Sequence, residues 1–291
     1  MEKIILKPAI KELIYKNNEG NTHFDVLSYQ GVGTQEKNLG SLFIIGHIKY
    51  GEEDLSYAVN LISSLAKREY YNDRSLQMLD AKSAFEHTLK KLNEVIDDFF
   101  KNKDLSLNIG LLAISGENVY ISRLGKFKVA LARNNKYIDV LNNVDLFYKD
   151  TEDAKQFSNI ISGKLQSNDK LLAYFPTRPI TAREKQLKDI FVKEDQGAFS
   201  QKIAHLAANA VNFSCCGVHI DMRQIKEIPV QPVTSFSRPV LSAQINNEEP
   251  APKQQPQTVL SEKPADKQTV PVLAPKIKEK EHEEKEEVEE K

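Results

Sequence analysis

The chain has almost no net charge. Its 40 Lys and Arg stand against 41 Asp and Glu over 291 residues, giving -1 at neutral pH. That balance removes any bulk attraction to nucleic acid or to an anionic membrane. It also lacks an apolar run near the roughly 18–20 residues that a membrane span needs. The N-terminal stretch MEKIILKPAIKELIY carries Glu and Lys throughout, which a signal peptide does not. Cysteine is limited to the adjacent pair Cys215 and Cys216. Neighbouring cysteines rarely pair with each other, and two thiols fall short of a four-ligand zinc site. A reducing, cytoplasmic compartment is therefore expected. Internal repeats are absent, and Gly31-Val32-Gly33 lacks the third glycine and following helix of a dinucleotide loop.

Glycine is missing altogether after residue 225: all 12 lie before that point, whereas nine of the 12 prolines lie after it. The same stretch holds one aromatic, Phe236. So few large apolar groups cannot offset an ordering cost of roughly 1–2 kcal/mol per residue. Residues 1–224 are expected to form the globular domain and 225–291 a disordered Pro/Glu/Lys-rich tail. EEPAPKQQP suggests polyproline character, and the closing KIKEKEHEEKEEVEEK has almost no apolar stripe to bury. Such a tail is a solvated linker or a tether to something outside this chain.

Before that boundary the periodicity changes several times. HFDVLSYQ at 23–30 alternates apolar and polar residues, and GSLFIIGHI at 40–48 is a short apolar run; both predict strands. A helix is predicted over about 52–70, starting at Glu52 or Asp54, with Leu55, Val59, Ile62 and Leu65 on its inner face. A second is predicted over 79–100, with Leu79, Phe85, Leu89, Leu92, Ile96 and Phe99 on one side. LSLNIGLLAISGENVYISRLGKFKVALARNNKYIDVL reads as a strand meander with turns at Ser115–Asn118 and Asn134-Asn135. A turn at Asp169 leads into the strand LLAYF. Thr181 and Glu184 form a capping-box pattern for a helix at 181–192. A helix at 197–211 and the strand CCGVHIDM close the domain. Clustered strands with inserted helix pairs give an α+β class.

This order, with the local sequence, resembles the metal-dependent type 2C (PPM) protein phosphatase domain over about residues 20–222. LFIIGHI followed by GEEDLSYAVNLISSL is similar to the family's buried strand, Asp-Gly-His-Gly-Gly loop and first long helix. NIGLLAISGENVYISRLGKFKVALARNNKYIDVL is similar to its central meander with Gly-Asp-Ser-Arg. FSNIISGKLQSNDKLLAYFPTRPITAREKQLKDIF is similar to the stretch ending in Ser-Asp-Gly, and AANAVNFSCCGVHIDM to the closing Asp-Asn strand. The resemblance implies an antiparallel β-sandwich flanked by pairs of antiparallel helices.

It also implies a chemistry whose residues are missing. The family holds two divalent ions on aspartates, and a bound water attacks phosphorus; Mg²⁺ and Mn²⁺ require such hard oxygen ligands. Here Gly46-His47 stands for the first Asp-Gly, and Lys126 follows Gly125 where Asp is expected. Phe175-Pro176-Thr177 replaces Ser-Asp-Gly, and Asn212-Phe213-Ser214 covers the Asp-Asn position. The degenerate cleft is therefore assigned to Gly46, His47, Gly125, Lys126 and Pro176, with no catalytic residue, metal ligand or cofactor.

Other candidates have ordinary structural readings. Glu52, Glu53 and Asp54 could rebuild a metal site or simply form an acidic first turn of a helix. Arg123, Lys126, Lys128 and Arg133 could bind phosphate or line a solvated strand face. His23, His87, His205 and His219 have no ligand spacing. Cys215 and Cys216 should point to opposite sides of a strand, one in and one out. The expected function is a catalytically inactive phosphatase-like domain acting in binding or regulation, its partner another protein reached through the tail or the degenerate cleft. The alternative is a divergent Mg²⁺- or Mn²⁺-dependent serine/threonine phosphatase.

Overall fold

A computed structural model describes residues 3–16, 21–31, 36–72, 80–142, 156–209 and 213–227. The disordered-tail expectation, Leu79 and Asn212 fall outside these residues.

Ten strands among the described residues form two five-stranded sheets. Strands β1 (Lys3–Tyr15), β10 (Cys215–Glu227), β9 (Lys170–Tyr174), β6 (Lys128–Arg133) and β7 (Lys136–Asp139) make the first, in that order. Strands β2 (Thr22–Gln30), β3 (Ser41–Tyr50), β4 (Leu105–Ser115), β5 (Asn118–Leu124) and β8 (Ile161–Lys164) make the second. Every pairing is antiparallel. Among the described residues the helices are α1 (Glu36–Leu39), α2 (Ala58–Tyr70), α3 (Ala81–Phe100), α4 (Arg178–Thr181), α5 (Glu184–Lys193) and α6 (Gln196–Asn209).

The two-residue strand period sorts the buried side chains into layers. On β3, Phe43 and Ile45 enter the space between the sheets, where they meet Val129, Ala173, Val218 and Ile220. The alternating Leu42, Ile44 and Ile48 face the other way, onto Val59, Ile62, Phe85, Leu92 and Ile96 of α2 and α3. The first sheet does the same: Leu172, Tyr174 and Cys215 meet Leu187, Phe191, Phe199 and Ile203 of α5 and α6. The result is an α+β sandwich with a helix pair on each outer face, as expected from the sequence.

The hairpins fall where the sequence places them. Gly116 (φ +58°) lies between β4 and β5, and Asn134 and Asn135 (φ +52° and +60°) turn β6 into β7. Two consecutive left-handed residues suit a tight two-residue hairpin, and Asn tolerates that region.

Several boundaries differ. The first long helix begins at Ala58, not near residue 52, and no acid occupies its first turn. Residues 51–57 instead form a loop in which Asp54 Oδ1 accepts the Ser56 N–H at 2.9 Å. The Asp54 carboxylate therefore favours a turn over the helix. On α3, Phe100 is the buried residue and Phe99 is exposed; the apolar stripe follows 85, 89, 92, 96 and 100. The capping box at Thr181 does not form. Its Oγ1 donates back to Thr177 O at 3.0 Å within α4, and the following helix starts afresh at Glu184 without a side-chain cap. Both cysteines are buried. Cys216 enters the sandwich, but Cys215 meets the α5–α6 layer rather than solvent. Finally, β1 has no counterpart in the sequence reading. It pairs with β10 along its whole length, from Lys3 opposite Glu227 to Tyr15 opposite Cys215. The last strand thus runs three residues past 224. Pro8 is tolerated because β1 is an edge strand, with a free side that needs no N–H.

Candidate functional site

At one end of the sandwich the segments set against the phosphatase motifs in the sequence meet. Gly46 backs onto α2 so closely that a Cβ there would lie 2.5 Å from Val59 Cγ1. The helix can seat on β3 only because this residue has no side chain. His47, next along, turns inward. Its ring stacks on Phe175, with centroids 3.7 Å apart and planes 14° apart, and lies near-parallel to Phe24 at 6.2 Å.

Backbone contacts hold the opposite segments. Phe175 N donates to Cys216 O at 2.9 Å, and Thr177 N reaches back over Pro176 to Phe175 O at 2.9 Å. Thr177 Oγ1 donates to Ser214 O at 2.7 Å. From the meander, Asn108 is the cross-strand partner of His47. Its Oδ1 accepts the Lys126 N–H at 2.7 Å. Gly125 beside it has φ +69°, and a Cβ there would sit 2.6 Å from that same oxygen. Gly46, His47, Gly125, Lys126 and Pro176 are thus brought to one end, largely through their backbones. The Lys126 side chain itself is exposed. Asn108 and Phe24 belong to this arrangement and were missed. A lone Asn inside the apolar run LSLNIGLLAI was the available signal, since a buried amide needs a partner.

Burial pushes the His47 imidazole down to about 4, so it is neutral near pH 7. Its Nδ1 is buried and finds no hydrogen-bond partner beyond its own backbone. Asp25, opposite Gly46 on β2, spends its Oδ1 on the Val26 N–H at 2.9 Å. An imidazole under an aromatic ring, a proline and an exposed ammonium do not fit a pair of hard dications, which need several converging carboxylate oxygens. Among the described residues, no three His, Cys, Asp or Glu side chains gather in a way that could hold a metal ion.

The remaining candidates disperse. Glu53 pairs with Lys103 (Nζ–Oε2 2.6 Å), and Asp54 serves the loop described above. The four meander cations do not form one cluster. Arg123 donates to Phe127 O, Lys128 pairs with Glu184 at 3.0 Å, and Arg133 forms a two-pronged bond to buried Asp169 (2.9 and 2.6 Å). His219 is fully buried between the edges of Phe191 and Phe199, with Nε2 3.1 Å from Asp221 Oδ1. His87 lies 3.6 Å from Glu69, and His205 contacts Asn209. Burial lowers the His23 pKa and raises both thiols, Cys215 to about 12. Thiols so hard to ionise are packing groups.

No family model and no curated protein matches the sequence. Solved structures do match. PppA of Pseudomonas aeruginosa, described as a key regulatory component of T6SS, is 13% identical with a TM-score of 0.52, over 77% of this chain and 100% of that one. The catalytic domain of the serine/threonine phosphatase PstP, in complex with two manganese ions, is 11% identical with a TM-score of 0.53, over 76% and 100%. The S. agalactiae serine/threonine phosphatase is 12% identical with a TM-score of 0.52, over 75% and 99%. At such identities the likeness is one of fold: the chain has the fold of PPM-type serine/threonine phosphatases, as its order of motifs implies. Among the described residues no helix is long and apolar enough to cross a membrane.

Proposed function

We propose that this chain is a phosphatase fold without phosphatase chemistry, which acts by binding another protein. The observation that carries the proposal is the stack of His47 on Phe175, 3.7 Å apart, at the end of the sandwich where the altered motif segments meet. A fold alone implies no activity; the groups at the site decide it. Two-ion hydrolysis needs carboxylates to hold the metals and a space for phosphate between them. Here aromatic rings occupy that end, and no metal is assigned to it.

What the end offers instead is positive charge on an apolar floor. Lys16 Nζ lies 6.0 Å from the Phe24 ring, and Lys126 reaches solvent beside the stack. An acidic or phosphorylated segment of a partner is the chemistry this charge favours, bound without being cleaved. Of the proteins sharing the fold, PppA is described as a regulatory component; a regulatory role is what the proposal assigns here. The proposed setting is the cytoplasm, where the two free buried thiols would stay reduced.

Thermal unfolding of the full chain with EDTA, Mn²⁺ or inorganic phosphate, beside an aryl phosphate assay, tests this. The expected result is no Mn²⁺ stabilisation and no release of the aryl alcohol. Mn²⁺ stabilisation that EDTA reverses, together with turnover, would establish the divergent metal-dependent phosphatase instead.

A further inference from the structure

We propose that the open end of the α2–α3 helix pair is a docking surface for a basic amphipathic segment of a partner protein. The two helices run antiparallel: His87 approaches Glu69 near one end, and the rings of Tyr57 and Phe100 lie 6.5 Å apart at the other. At this second end three large apolar side chains are left uncovered. Tyr57 precedes α2 and is 51% exposed, and Leu61, one turn on and on the same face, is 38% exposed. Phe99, beside Phe100 in the last turn of α3, is 61% exposed. Single exposed apolar residues are ordinary, but three at the same end of a helix pair, two of them aromatic, are of the kind that anchors protein contacts.

The rim decides what docks there. The loop at 51–57 is tied to the end of α3 by Gly51 N donating to Asp104 O at 3.0 Å and by the Lys103–Glu53 ion pair at 2.6 Å. Glu52, Glu53 and Asp54 of that loop, with Asp98 and Asp104 at and just after the last turn of α3, are all exposed at this end of the pair. Against them stand Lys101 and Lys103, and Glu53 already engages the latter. An anionic lipid surface would be repelled by this rim. A second copy presenting the same face would set acid against acid. A helical segment with apolar residues at i, i+3 or i+4 and i+7, flanked by Lys and Arg, satisfies both the anchors and the rim. The surface uses none of the residues of the His47–Phe175 stack, so it stands or falls separately from the binding role proposed for that end.

The test uses the full chain and a synthetic 14-residue helical peptide of Leu and Lys in amphipathic order, with its Leu/Glu counterpart. Fluorescence anisotropy should show the Leu/Lys peptide bound, weakened by salt, and the Leu/Glu peptide unbound. Phe99→Ser, at an exposed position that leaves the core alone, should weaken the Leu/Lys peptide by about tenfold or more, as expected of an aromatic anchor. Affinity unchanged by Phe99→Ser and by Leu61→Ser would mean that charge elsewhere captures the peptide, and would overturn the proposal. So would self-association lost in Phe99→Ser, or binding of phosphatidylglycerol vesicles through Phe99.

Discussion

The ring of His47 lies on that of Phe175, with centroids 3.7 Å apart, and joins β3 to the segment that follows β9. The two residues are 128 positions apart in the chain, yet they close one end of the sandwich between them. The contact removes the imidazole from water, and this burial is what lowers its pKa to about 4.

That shift has a consequence for stability. An unfolded histidine titrates near 6.5. Between pH 6.5 and 4 the unfolded chain therefore binds a proton at His47 that the folded chain refuses. The stability associated with neutral His47 is fully present above about pH 6.5 and is lost as pH falls through that window, up to about 3 kcal/mol. Carboxylates also contribute on acidification. Glu184, for one, is held below its ordinary range chiefly by hydrogen bonds from Lys128 and Lys188. The His47→Phe variant isolates the imidazole, since it keeps a ring in the stack and removes the titration. Urea unfolding should show His47→Phe gaining on the parent chain as pH drops from 7 to 4.5. A constant difference between the two would mean that His47 is not desolvated.

Gly46 predicts a steric effect. A methyl group there would sit 2.5 Å from Val59 Cγ1, in a strand with no turn to absorb it. Gly46→Ala should therefore push α2 off β3 and cost roughly 1–3 kcal/mol, the usual penalty of overpacking. Replacing Val59 with Ala in the same chain should restore part of the loss. Additive losses in the double variant would show that the two positions do not touch.

How much of this was readable beforehand depends on the range of the interaction involved. The strands β2 to β6 and the helix pair α2–α3 announce themselves through local periodicity, and their hairpins through Gly116 and Asn134-Asn135. The start of α2 was misread because three acids before a helix look like a first turn, whereas Asp54 spends its carboxylate on the Ser56 amide. Strand β1 was missed because its partner lies 200 or more residues away, and Pro8 interrupts its pattern. The positions Gly46, His47, Gly125, Lys126 and Pro176 could be named, since the resemblance supplies an order of motifs to set them against. That Phe175 would lie on His47 could not, because stacking is fixed by the packing of two sheets and leaves no mark on either local sequence. Phe99 and Phe100 differ by one position on a helix, and only the direction of the core separates them.

Asp169 and Arg133 form a third test. Asp169 is buried, accepts both prongs of the guanidinium, and also takes the Gln166 N–H at 2.7 Å. Removing Arg133 would leave a buried carboxylate with its charge unpaired. Arg133→Ala should cost about 3–5 kcal/mol, the range for breaking one side of a buried pair. Arg133→Met with Asp169→Leu, which removes both charges, should cost less than Arg133→Ala alone. Equal losses would place the effect in packing rather than in the stranded charge.

The last expectation separates the two faces of α2. Ile62 is fully buried against the second sheet and α3, while Leu61, its neighbour in sequence, lies on the face left open to solvent. A carboxylate at 62 would have to enter an apolar layer without a partner, at several kcal/mol, or force the helix away from the sheet. The same carboxylate at 61 meets water and joins an already acidic rim, where a surface change is ordinarily worth no more than about 0.5 kcal/mol. Ile62→Asp should therefore unfold at much lower urea than the parent chain, and Leu61→Asp at nearly the same concentration. The pair also bears on the docking surface, because Leu61→Asp leaves the fold intact while replacing one of its three apolar anchors with a charge. If Leu61→Asp proved as damaging as Ile62→Asp, residue 61 would have to be part of the core, and the open face of the helix pair would not exist.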